Sequence, residues 1–249
     1  MNSKIAFTDI LSLLRNKAKK TPLKIAIVGR DFKEISFKDL NEQVAAFATR
    51  LLSHSKQKNK LIPLRTAIVL PNGPDMSKTL LASCVTGAAV PLNPAYTEFE
   101  FSEYFRQAKV TSLVTLKGFA PACERAANQN GLPIINLEEL SDQIFDKNHK
   151  KLNLPKPSDT ALILLTSGST GRPKLVPLTH RNVCISARDV SVSLDLSSND
   201  RCLSMWELFH IGGLVDMLLA PLHSGGSIIA TAGFSSMDFF SYSEEFSPT

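Results

Sequence analysis

Short apolar runs without alternation recur along the 249-residue chain: "RTAIVL", "GAAVPL", "TSLVTL", "TALILLT" and "SIIAT". A strand with one wet face alternates apolar and polar residues. Unbroken runs belong to strands buried on both faces, as in parallel sheets covered by helices. Helical patterns separate them. Leu40, Val44, Phe47 and Leu51 repeat at helical period behind Ser36 and Asp39, which have capping-box spacing; Thr97 and Glu100 form a second such box ahead of Phe101, Tyr104, Phe105 and Ala108. Asp75 is the expected N-cap of a helix running to about Thr86, and further helices are expected near 119–130, from about Thr179, over "GGLVDMLLAPLHSG" and near "MDFFSYSEEF". "KIAIVGRDFKEISF" reads as a hairpin turning at Gly29-Arg30-Asp31, and "RCLSMW" as a strand. The expected class is α/β with mostly parallel sheets covered by helices. The polar, proline-bearing stretch at 146–159 is the candidate subdomain boundary.

Composition narrows the function classes. Hydrophobic residues are 43% and charged residues 20%, an ordinary globular balance. The net charge is +5, and the lysine clusters "RNKAKK", "KQKNK" and "KNHKK" lie between apolar segments with few aromatics. A nucleic-acid surface needs basic residues on one face with rings for stacking, so these read as solvated loops. The amphipathic "FTDILSLLRNKAKK" is interrupted by Asp9 and Arg15, so no signal peptide or membrane span is expected. Four scattered cysteines without a C-x-x-C pair suit a reducing, cytoplasmic compartment, with the peroxisome the alternative for a eukaryotic chain.

The chemistry concentrates in "LILLTSGSTGRPKLVPLTHRN". A buried strand opens into Thr166, Ser167, Gly168, Ser169, Thr170 and Gly171, closed by Lys174. Glycines let successive backbone N–H groups converge, and hydroxyls with an ammonium complete a nest suited to phosphate oxygens. The spacing is neither a Walker A loop nor a G-x-S-x-G nucleophile elbow. A Ser/Gly-loop amidase would want a Gly-Gly-Ser-Ser core, which the chain lacks. The plain alternative, a flexible polar surface loop, leaves the preceding strand and the closing lysine unexplained. His54, His149 and His223 show no metal-ligand spacing, so no protein-built metal site is expected.

"TSGSTGRPK" followed by "VPLTHRN" resembles the phosphate loop of the AMP-forming adenylating enzymes: acyl-CoA synthetases, luciferases and nonribosomal adenylation domains. "ISFKDLNEQVAAFATRL", "GAAVPLNPAYTEFEFSEYF" and "LFHIGGLVDMLLAPLHSGGSII" resemble other family segments in order and spacing, with "NPAYTEFEF" and "KLVPLT" most like oxalate–CoA ligases and peroxisomal-type synthetases. The resemblance implies an ATP-dependent ligase acting on a small carboxylic acid. The acid attacks the α-phosphate of ATP, pyrophosphate leaves, and a thiol such as coenzyme A takes the acyl group from the adenylate. It also implies that residues 166–174 hold the β- and γ-phosphates, that Mg²⁺ bridges phosphate oxygens, and that His210 stands beside the carboxylate. A helix-start histidine that merely caps or packs is the bland alternative for His210; His180 and Arg181 are expected to be structural.

Three departures stand out. Leu175 replaces the family's usual glycine after the lysine, and Glu207 replaces its frequent proline before Leu-Phe-His. No segment matches the family's downstream adenine, ribose, hinge and catalytic-lysine motifs. The expectation is therefore the incomplete front half of the large domain, inactive alone, with self-association through the cut sheet edge. The competing class is a non-enzymatic truncated remnant that binds phosphate or a partner chain.

Overall fold

Each buried strand has lateral neighbours for its backbone groups and helices for its side chains, so the elements assemble as two sheets, each in its own compact unit. The computed structural model describes residues 7–29, 31, 33–54, 63–138, 152–166 and 173–249. The first unit comprises Met1–Glu42, Asn72–Ser77 and His180–Thr249; the second comprises Gln43–Pro71 and Lys78–Thr179. Residues 152–159, the described part of the connection singled out above, lie within the second unit.

In the second unit the strands are β3 (Leu64–Val69), β4 (Gly87–Pro91), β5 (Ser112–Thr115), β6 (Ile134–Asn136), β7 (Thr160–Thr166) and β8 (Lys174–Thr179). Their order is β6-β5-β3-β4-β7-β8, parallel throughout except for β8, which runs antiparallel to β7. Helices α4 (Glu98–Ala108) and α5 (Pro121–Gln129) cover one face. Phe101, Tyr104, Phe105 and Ala108 meet Ala67, Val69, Val90 and Leu113 there. Thr97 and Glu100 form the expected reciprocal cap: Thr97 Oγ1 accepts from the Glu100 N–H, and Glu100 Oε2 accepts from the Thr97 N–H at 2.7 Å. Lys109, left-handed at φ 51°, ends α4, and Arg65 donates to the last carbonyl, Ala108, at 2.8 Å. Helices α2 (Phe37–His54) and α3 (Pro74–Thr86) touch where the buried Lys78 ammonium sits 5.7 Å from the Phe47 ring centroid.

In the first unit β1 (Ile25–Gly29), β2 (Glu34–Ser36), β9 (Arg201–Ser204) and β10 (Ser227–Ala230) lie in the order β2-β1-β10-β9. The β1–β2 hairpin forms as expected, closed by the Gly29 N–H on Lys33 O at 2.9 Å; Arg30, in its turn, lies outside the described residues. The other pairings are parallel. Helix α1 (Ile10–Lys20) buries Ile10, Leu11, Leu13 and Leu14, and Asp9 serves it as N-cap, accepting from the Ser12 N–H at 2.7 Å. Residues 211–224 wind as α7 (Ile211–Leu214), a π-helical stretch (Val215–Leu219) and α8 (Ala220–Ser224). Helix α6 (His180–Ser193) starts within a residue of expectation, and α9 (Ser236–Phe246) buries Tyr242 and Phe246 against Val28, Met205 and Ile229.

One reading is corrected. Helix α3 begins at Pro74, so Asp75 lies in its first turn and Gly73 O accepts the Ser77 N–H instead. Proline suits that first position because its missing N–H would have no partner there. "KLVPLT" is a strand. Pro177 is tolerated in it because an edge strand does not need the missing donor.

The four cysteines are unpaired; burial pushes the thiols of Cys123 and Cys184 up to about 12, so at neutral pH they are packing groups without nucleophilic character. Backbone closeness is tightest at Gly87, where a Cβ would overlap the Leu64 carbonyl oxygen across the β3–β4 pair. Gly87→Ala is expected to destabilise the chain by about 1–3 kcal/mol through overpacking, read as a lowered midpoint in urea denaturation.

Candidate functional site

The two candidate regions lie in different units. In the second, β7 and β8 pair from Thr160↔Thr179 to Thr166↔Lys174. Thr166 and Lys174 stand opposite each other at the open end, and Thr166 Oγ1 donates to Lys174 O at 3.4 Å. Both are exposed, and among the described residues Lys174 forms no ion pair. An exposed lysine without an ion pair among the described residues suits phosphate oxygens better than a metal cation. Ser167, Gly168, Ser169, Thr170 and Gly171 lie outside the described residues. Leu175 pairs with Leu165 and packs on the Phe101–Phe105 cluster, so its branched side chain is accommodated where a glycine was expected.

In the first unit, His210 opens α7 just beyond the carboxyl end of β9. Its backbone is extended (φ −102°, ψ 150°), its N–H donates to Glu207 O at 3.0 Å, and its ring tilts against Phe209 at a centroid distance of 4.6 Å. The exposed imidazole makes no capping hydrogen bond to the helix, which removes the capping alternative. Three contacts fix this turn. Asn72 Nδ2 donates to Trp206 O at 3.3 Å, and the Leu208 N–H donates to Asn72 Oδ1 at 3.1 Å. Gly213 lies so close that a Cβ there would overlap the Glu207 carbonyl oxygen.

The Glu207 carboxyl is half-buried and its pKa is raised, first by desolvation; His210 opposes the rise. The other histidines are held elsewhere. His180 is buried and its Nδ1 accepts from the Ile10 N–H at 3.4 Å, in keeping with a structural role, and His223 packs edge-on against Phe7. No group of three or more His, Cys, Asp or Glu among the described residues is placed to hold a metal ion. Sequence reading missed Asn72: "LPNGPD" reads as a strand stop and helix entry, and nothing local announces that its amide clamps a turn more than a hundred residues away.

Glu207 generates a pH signature. Its folded-state pKa lies above the unfolded value, so the stability it contributes is present below the ordinary glutamate range and is lost as pH rises through the raised value. Glu207→Gln removes the titration. The variant's stability relative to the parent is therefore expected to increase between about pH 4 and about pH 7, measured by urea denaturation across that range.

The family model described as AMP-binding enzyme matches residues 14–249. The chain is 31% identical to an oxalate–CoA ligase of Arabidopsis thaliana, over 97% of this chain and 49% of that protein. Among solved structures, ATP-bound MatB from Rhodopseudomonas palustris superposes with a TM-score of 0.84 at 22% identity, over 95% of this chain and 48% of that one. The O-succinylbenzoate coenzyme A synthetase of Bacillus subtilis, in complex with AMP, gives 0.81 at 26%, over 95% and 60%. The chain thus spans about half the length of the curated relatives it matches. The mostly parallel sheets and the glycine-loop hairpin therefore have a common explanation: this chain belongs to the AMP-binding enzyme family.

Proposed function

We propose that the chain carries the phosphate-binding part of an ATP-dependent, AMP-forming acid–thiol ligase of the acyl-CoA synthetase type. The observation that carries this reading is the β7–β8 hairpin: its ladder ends with Thr166 facing Lys174 around a loop of serine, threonine and glycine. Lys174 and Thr166 bind the β- and γ-phosphates, with the loop amides and hydroxyls from Ser167 to Gly171 completing the cradle. Charge on the phosphate oxygens is neutralised at Lys174, which makes pyrophosphate a better leaving group as the acid attacks the α-phosphate. His210, held at the start of α7, orients the acid carboxylate. Mg²⁺ and coenzyme A follow from family membership; bound Mg²⁺ would add further charge neutralisation at the phosphates, and no described residue is assigned to it. The substrate is a small carboxylic acid.

Adenylation needs carboxylate, α-phosphate and metal held together, and that positioning can be worth about 7–11 kcal/mol. With the chain spanning about half of its relatives, we read it by itself as binding nucleotide without turning over. The remnant reading, in which it binds phosphate or a partner and does nothing more, draws on that same span and on Glu207; the accommodated Leu175 gives it no support. Lys174→Met is expected to weaken ATP binding roughly ten- to a hundredfold, the worth of one charge-assisted phosphate contact, with an unchanged thermal melt. Calorimetric titration with Mg-ATP checks it, and unchanged affinity would remove the hairpin from the nucleotide site. Acid-dependent exchange of pyrophosphate into ATP by this chain alone would show that it needs nothing more.

We also propose self-association through β9. That strand forms a sheet edge, met among the described residues only at Arg201, whose O accepts from the Thr249 N–H at 3.1 Å. An open edge pairs readily with a second copy. Light scattering across a concentration series should show dimer or larger species; a monomer throughout would contradict it.

A further inference from the structure

Glu207 takes no part in the strand ladders, the helix caps or the cores. One carboxylate oxygen, Oε1, would lie 3.0 Å from a Cβ at Gly233, just past the end of β10. Among the described residues this carboxylate accepts no hydrogen bond and joins no ion pair. The backbone holds Glu207 in place, since Asn72 grips the peptide groups on both sides of it and Gly213 lies under its carbonyl.

The carboxylate therefore has a fixed location. It sits beyond the carboxyl ends of the parallel neighbours β9 and β10, the end of an open α/β sheet where ligand crevices form. Between Met205 and Gly213 the one acidic residue is Glu207 and the one basic residue is His210. The burial that raises the Glu207 pKa, opposed by His210, agrees with a desolvated carboxylate in that histidine's field. A carboxylate bound at His210 brings one negative charge to a turn that already carries Glu207. A second anionic group on the same small acid adds a further negative charge near Glu207.

We propose that Glu207 is a specificity-determining residue that sets the charge class of the acid: it disfavours acids with a second anionic group and favours acids whose far end is neutral or cationic. The inference rests on the acid-activating reading above. Like charges a few ångströms apart at the edge of a protein repel strongly enough to change binding by an order of magnitude.

Trp206, the single tryptophan, adjoins Glu207 and is half-exposed, so its emission reports on ligands at this turn. The experiment titrates oxalate, butyrate and β-alanine into the 249-residue chain and into Glu207→Gln, following Trp206 fluorescence. Oxalate is expected to bind Glu207→Gln roughly tenfold more tightly than the parent, butyrate about equally to both, and β-alanine more weakly to the variant. Glu207→Asp, which keeps the charge, is expected to retain the discrimination against oxalate. Equal oxalate affinities in parent and Glu207→Gln would overturn the charge specificity while leaving the acid site standing. If none of the three acids alters Trp206 emission in either protein, the acid-binding reading falls and this inference with it.

Discussion

The antiparallel docking of β8 on β7 is the constraint on which the glycine loop depends. The ladder fixes both ends, because Thr166 and Lys174 are opposite partners in one register. Leu165 and Leu175, the preceding pair, pack on the core that α4 and α5 share with the sheet. Anchorage in that core is what allows the exposed lysine to be a positioned charge.

The turn at His210 is fixed by a different device. No regular element holds residues 205–210; side chain and backbone meet there at close range instead. Asn72 supplies both a donor and an acceptor to one short stretch, an amide standing in for a neighbouring strand. Gly213 admits the Glu207 carbonyl where any larger residue would push it out. The result is an exposed imidazole one turn from a half-buried carboxylate, on backbone held by these contacts.

Much of the architecture could be read directly. The apolar runs became parallel strands, and the Thr97–Glu100 pair became a reciprocal cap, because both depend on residues within one turn or one strand of each other. The thiols of Cys123 and Cys184 behave as buried apolar groups. The error arose where a residue had two local meanings. Asp75 has the chemistry of a cap, yet Pro74 begins the helix before it.

Sequence by itself determined the α/β class, the order of the elements and the chemical character of the loop, since periodicity and capping act over a few residues and motif chemistry is written in residue type. Tertiary structure decided the edge position of β8, the clamp of Asn72 on residue pairs more than a hundred positions away, the accommodation of Leu175 and the isolation of the Glu207 carboxylate. Each of these depends on which groups from distant segments meet in space. Hydrogen-bond partners, desolvation and close backbone approach are properties of that meeting, and no local pattern in the chain encodes them.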